Sequence, residues 1–185
     1  MLILLADDES IIRLGLKSML QEMGHQVISA TNGREALRLA EQHDPDLAIL
    51  DIKMPYTDGL QAARTLARTN PLPILLLTAY SEQDLIEKAA DLPIQGYLVK
   101  PIKSEELRAA IIVAHKRFQE TQLLAKRATR LEHDLATRKL LDRAKGKLMQ
   151  DGLSEEEAYR RIQEDARHKR QTIAEAAEAI LRKVF

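Results

Sequence analysis

Apolar runs too short for helices punctuate the first hundred positions: LILLA at Leu2–Ala6, LAIL at Leu47–Leu50, PILLLT at Pro73–Thr78 and a weaker run over Ile94–Val99. None alternates with polar residues, which is the pattern of strands buried on both faces. Gln26–Ala30 adds a fifth short strand. Between these runs the spacing turns helical. Ile11, Ile12, Leu14, Leu16, Met19 and Leu20 predict a helix from Ser10 to about Glu22, closed by Gly24. Further helices are predicted over Arg34–His43, from Gly59 to Arg68, over Glu82–Ala90 and from Ser104 onward. Five strands alternating with helices of this length imply an α/β fold with a parallel sheet covered on both faces.

From Ser104 neither Pro nor Gly occurs until Gly146. Leu107, Ile111, Ala114, Phe118, Thr121, Leu124, Ala128, Leu131 and Leu135 recur at intervals of three and four, slipping once between Thr121 and Leu124. That spacing predicts a coiled-coil seam with a stammer, carried by one long helix. Some 40 helical residues would extend about 60 Å, more than a small domain covers, so a second copy of the chain is the expected partner. The helical pattern continues over Leu140–Gln150 and breaks at Asp151-Gly152. Ser154 with Glu157 is a capping box opening a helix to about Lys169, and Ile173, Ala177, Ile180 and Leu181 mark another. Three short helices predict a compact bundle. Gly146 inside a helix costs about 1 kcal/mol relative to alanine, which argues for close backbone approach there.

Composition narrows the classes. With 185 residues, two domains are expected. Two Phe, four Tyr and no Trp leave a core of Leu, Ile, Val and Ala. The absence of Cys excludes disulfides and thiolate metal sites, and the five histidines are scattered without ligand spacing. The opening MLILLADDES is too short an apolar stretch for a membrane anchor and lacks a basic flank, so a cytoplasmic protein is expected. Net charge is zero, yet residues 1–110 carry 11 basic against 16 acidic side chains and residues 138–185 carry 12 against 9. Different partners for the two halves follow from that asymmetry.

The carboxyl ends of the predicted strands collect the chemistry. The first presents Asp7 and Asp8, the third Asp51, the fourth Thr78 and the fifth Lys100. Such strand ends are where open α/β sheets bind ligands. Three carboxylates there need a divalent cation, and an all-oxygen donor set suits Mg²⁺. With a lysine and a hydroxyl beside it, the site is suited to grip a phosphoryl group, Asp51 being the nucleophile. No glycine-rich nucleotide loop accompanies it.

These residues resemble the receiver domain of two-component response regulators: Asp7-Asp8, Asp51 in DIKMP followed by Asp58-Gly59, Thr78-Ala79, and Gly96-Tyr97 before Lys100-Pro101. The resemblance implies a flavodoxin-like sheet of strand order 2-1-3-4-5, with Asp51 as phospho-acceptor. It further implies that Asp8, Asp7 and the Lys53 carbonyl help bind Mg²⁺, that Lys100 and Thr78 hold the phosphoryl oxygens, and that Tyr97 changes rotamer with Thr78. The donor would be a sensor histidine kinase. Such a chain is a regulator rather than a turnover enzyme, catalysing only its own phosphorylation and dephosphorylation.

The back half, through AKGKLMQDGLSEEEAYRRI, resembles the ANTAR domain, a three-helix RNA-binding module of antitermination regulators. The two resemblances divide the chain into a receiver at 1–118, a helical coiled-coil linker at 119–137 and an RNA-binding bundle at 138–185. An RNA stem-loop is the implied partner, with contacts expected on Lys145, Gly146, Lys147, Arg160, Arg161, Lys169 and Arg170. Two other readings stay open. The last two helices could form a DNA-binding helix-turn-helix, against which Thr172–Leu181 offers Glu175 and Glu178 and no Arg, Lys, Asn or Gln to base edges. Alternatively, the bundle binds a protein.

Overall fold

The computed structural model describes residues 1–79 and 92–182. The predicted helix over Glu82–Ala90 lies outside them. The chain divides into two compact units, Met1–Gln122 and Leu123–Phe185.

In the first unit five parallel strands, β1 (Leu2–Ala6), β2 (Gln26–Ala30), β3 (Leu47–Asp51), β4 (Ile74–Thr78) and β5 (Gly96–Val99), are ordered β2-β1-β3-β4-β5. The expected order 2-1-3-4-5 is therefore present. Every residue of β3 and β4 is buried, the outcome their unbroken apolar runs require. The fifth strand is shorter than predicted. Just before it, Gln95 donates its backbone N–H to Ile74 O at 2.9 Å while its side-chain oxygen accepts from Ile74 N at 2.6 Å.

Helices α1 (Ser10–Glu22), α2 (Gly33–His43) and α3 (Gly59–Thr69) follow β1, β2 and β3. Asn32 and Asp58 cap α2 and α3, each side chain accepting the backbone N–H three residues on. Alanines of α2 and α3 (Ala36, Ala40, Ala62, Ala63) pack with Leu66 on the face made by Leu4, Leu50 and Leu76. Leu16 and Leu20 of α1 cover the other face, on Ile3, Leu5, Ile49 and Leu77.

That second face is completed by α4, one unbroken helix of 47 residues from Ser104 to Gln150. Its first apolar positions correct the sequence reading. Leu107, Ile111 and Ala114 are buried in the sheet's own core, so they cannot belong to a seam between chains. A helix laid on a sheet and a helix in a coiled coil share the same spacing of three and four. From Leu123 to Ala136 every residue is exposed, including Leu124, Leu131 and Leu135.

In the second unit α5 (Glu155–Lys169) and α6 (Ile173–Arg182) pack on the end of α4 around Ala144, Ile162, Ala166, Ala176, Ala177 and Ile180. Its first helix is thus no separate short element but the continuation of α4. The Ser154–Glu157 capping box is formed as predicted, and Thr172 with Glu175 repeats it before α6. A side chain added at Gly146 would meet open space, so the close approach expected there does not occur among the described residues.

Candidate functional site

At the carboxyl edge of the sheet, register brings the sequence candidates together. Asp51 ends β3 opposite Leu77, and the next residue on β4 is Thr78. Lys100 follows β5, its backbone N–H donating to Thr78 O at 2.8 Å. The Lys100 side chain crosses the edge. Its Nζ stands 2.6 Å from Asp51 Oδ1, 2.8 Å from Asp7 Oδ2 and 3.6 Å from Glu9 Oε1. Asp7, Asp51 and Thr78 are buried, while Asp8 is exposed. Lys53 also stands exposed, and a cleft of about 400 Å³ runs past Asp8, Lys53, Met54, Pro55 and Asp58.

Burial pushes the Asp51 carboxyl up to about 6; the Lys100 ammonium pulls against this, and the charges of Asp7 and Asp8 add to it. Burial alone would lower Lys100, but its hydrogen bonds to Asp51 and Asp7 carry it above the ordinary lysine value. One lysine against three carboxylates leaves the cluster short of positive charge. Asp7, Asp8 and Asp51 each offer an oxygen within 4.8 Å of the others. Hard oxygen donors and excess negative charge fit Mg²⁺.

Arg13 and Gly33, not singled out from sequence, support this edge, as does Gly59, read there only as part of the Asp58-Gly59 motif. Arg13 of α1 reaches back to donate to Asp7 O at 2.6 Å and Asp8 O at 3.4 Å, fixing the backbone that carries both acids. Gly59 lies so close to β3 that a Cβ would fall 2.1 Å from Asp51 O. Gly33 likewise admits Thr57 O, which accepts its N–H at 3.1 Å. The loop from β3 to α3 is held at both ends by glycines. Their signal was present only as Asn-Gly and Asp-Gly turns, which do not reveal close packing. Tyr97 is 51% exposed on β5, opposite Leu76 and on the same face as Thr78, whose hydroxyl donates to Ala79 O at 3.1 Å.

The basic candidates of the second unit divide into two groups. Lys145 pairs with Glu155 at 2.8 Å and Asp142 at 3.3 Å. The Lys147 ammonium donates to Ile180 O at 3.1 Å and Leu181 O at 3.4 Å, meeting carbonyls at the end of α6. Arg160, Lys169 and Arg170 are exposed, and Arg161 is exposed with Asp165 3.7 Å away. Arg170 closes α5 in the left-handed conformation at φ 50°.

Comparison with known proteins agrees with both halves. Residues 3–112 match the response regulator receiver domain and residues 129–181 match the ANTAR domain. The chain is 43% identical over 181 residues to the transcriptional regulatory protein PdtaR of Mycobacterium tuberculosis, covering 97% of this chain and 88% of that one. It is 36% identical over 109 residues to the transcriptional regulatory protein AfsQ1 of Streptomyces coelicolor, covering 59% of this chain and 48% of that one. Among solved structures, a response regulator receiver domain protein from Clostridium thermocellum superimposes with a TM-score of 0.60 at 31% identity, over 66% of this chain and 98% of that one. With both domain models matched in order and a relative similar along nearly its whole length, the chain belongs to the response regulators that join a receiver domain to an ANTAR domain.

Proposed function

We propose that a histidine kinase phosphorylates Asp51 and that this modification controls binding of structured RNA by the ANTAR domain, and through it transcription antitermination. The observation that supports the first half most directly is the Lys100 ammonium 2.6 Å from Asp51 in a buried acidic cluster. In the transfer, an Asp51 oxygen attacks phosphorus, the new O–P bond forms as the N–P bond of a phosphohistidine breaks, and the imidazole leaves with the electron pair. Asp51 and Lys100 start the reaction paired, and as the carboxylate becomes an acyl phosphate the ammonium remains against the phosphoryl oxygens. Thr78 offers its hydroxyl to the same oxygens, and Tyr97 follows the movement of Thr78. Asp7, Asp8, Asp51 and the Lys53 carbonyl are assigned to Mg²⁺, which neutralises phosphoryl charge when bound. The assigned division is receiver 1–118, linker 119–137 and RNA-binding bundle 138–185, with the linker as the dimer element.

The elevated pKa of Asp51 gives a test of the metal assignment. A carboxyl whose folded value of about 6 lies above its ordinary 3.8 penalises the fold when ionised, so stability from this group falls as pH rises from about 4 through 6. Mg²⁺ takes the ionised form. Its stabilising effect on thermal unfolding of the receiver is therefore expected to be larger at pH 8 than at pH 5. An equal or larger effect at pH 5 would remove Asp51 from the ligand set.

For RNA, the contacts are assigned first to Arg160, Arg161, Lys169 and Arg170 of α5 and its cap. Lys145, Gly146 and Lys147 adjoin them, but both lysines already serve the bundle. Reversing Arg160 and Lys169 together is expected to weaken stem-loop binding while leaving the bundle folded. Affinity should fall with salt by roughly 0.7 log unit per log unit of salt for each neutralised phosphate of a single-stranded loop. Gel shifts with the stem-loop and with duplex DNA of the same sequence decide the matter; preference for duplex DNA, or no binding to either, would overturn it.

A further inference from the structure

A groove of about 420 Å³ lies at the amino edge of the receiver sheet, the edge opposite to Asp51, Thr78 and Lys100. Met1 and His25, which precede β1 and β2, stand on one side with Met23 at the end of α1. On the other side α4 contributes Arg108, Ile112, His115, Lys116 and Gln119. Arg108, Ile112, His115 and Gln119 recur at intervals of four and three, so one stripe of the helix faces the groove. All of these residues belong to the first compact unit.

The charge of this groove runs against that of its surroundings. Residues 1–110 carry 11 basic against 16 acidic side chains, yet no acid lines the groove, while an arginine, a lysine and two histidines do. Among the described residues Arg108 forms no ion pair, although Glu105 lies one turn before it, and Lys116 forms none with Glu120 one turn after. Burial first, and then positive charge nearby, that of Arg108 included, hold the His25 imidazole below its ordinary value. Gln119 Nε2 stands 2.9 Å from His115 Nε2, bracing that ring on the wall.

Between the basic groups the lining is apolar. Met23 packs on the sheet core, and Ile112 is 62% exposed although its neighbour Ile111 is buried. From Arg108 to Lys116 the helix rises about 12 Å, eight residues at 1.5 Å. A bare phosphate would fill little of that length, and an uncharged chain would leave the cations unanswered. An anionic head on an apolar body answers both.

We propose that this groove binds a small organic anion, a carboxylate head carried on an unbranched apolar chain, with Arg108 and Lys116 drawing the head and Met23 and Ile112 covering the chain. The site lies a full strand length from Asp51, so its ligand does not compete for the acidic edge. It joins α4 to the turn after α1, and occupancy stabilises that junction by mass action.

Octanoate is the probe. Titrated into the full-length protein and followed by calorimetry, it should saturate a single class of site. Octanol and inorganic phosphate, each lacking one half of the ligand, should bind at least roughly tenfold more weakly. The histidines locate the site. In proton NMR the ring signals of His25 and His115 should shift with octanoate, while those of His133 and His168 stay. Arg108→Glu with Lys116→Glu should weaken octanoate on the order of tenfold or more, through loss of charge-assisted contacts. Both side chains are exposed and form no ion pair among the described residues, so the fold loses none with them. Circular dichroism checks this, and Arg108→Gln with Lys116→Gln is the milder pair should the reversal not fold. Octanoate that never saturates, octanol or phosphate that binds as well as octanoate, charge variants that bind it undiminished, or shifts confined to His133 and His168 would each overturn the proposal. Neither phosphorylation nor RNA binding enters any of these readouts.

Discussion

An Asp51→Asn protein is expected to take up no phosphoryl label above background from a small acyl phosphate or a phosphorylated kinase. The loss should be at least roughly a hundredfold, because a carboxamide has no oxyanion with which to attack phosphorus. Asparagine keeps the shape of the side chain, and its oxygen can still accept from Lys100. Asp7 also remains 2.8 Å from that ammonium, so the lysine does not lose its only counter-charge. Folding should therefore survive, which circular dichroism of the variant will show. Uptake at the wild-type rate would mean that another acid at the edge, such as the exposed Asp8 or Glu9, is the acceptor.

The second large effect is expected from a residue that touches no phosphate. In Gly59→Ala the new methyl would lie 2.1 Å from Asp51 O and 2.9 Å from Asp51 C. Neither is the end of a flexible side chain. Backbone must move, at a cost of about 1–3 kcal/mol for overpacking, and what moves is the end of β3 that aims the acceptor. Stability and the rate of phosphorylation should fall together. Gly146→Ala is the contrast: its methyl points into open space within a helix, and a gain of about 0.5–1 kcal/mol is expected there. Thermal unfolding of both variants, with phosphorylation assayed on the first, is the check. A Gly59→Ala protein with wild-type stability and rate would show that the loop yields without consequence.

The parallel strands and the acidic edge were legible because their signals are local. An unbroken apolar run has few other uses, and topology then delivers the ends of β1, β3, β4 and β5 to one side whatever the details of packing. The start of α4 was counted in the seam as well as in the receiver because periodicity records that a face is apolar, not what covers it: Leu107, Ile111 and Ala114 follow the seam spacing while belonging to the sheet. Arg13 escaped notice for a different reason. Its bonds run from a side chain to the backbone of Asp7 and Asp8 across a loop, and such bonds leave no pattern in composition or spacing. Lys145 and Lys147 show the limit of reading charge from sequence. A basic residue looks the same whether it awaits a polyanion or, like Lys147, closes a helix end.

The middle of α4 also bears on how that helix comes to exist at all. Between Leu123 and Ala136 every residue is exposed, and a free peptide of that length would be mostly unravelled, since starting a helix is costly and extending one is cheap. Here the costly step is taken elsewhere. Turns anchored by burial of Leu107, Ile111 and Ala114 on one side and of Ala144 on the other supply ready nuclei from which the intervening residues grow. The exposed segment is thus helical by inheritance, and its backbone amides should exchange with solvent through brief local openings long before either buried end lets go.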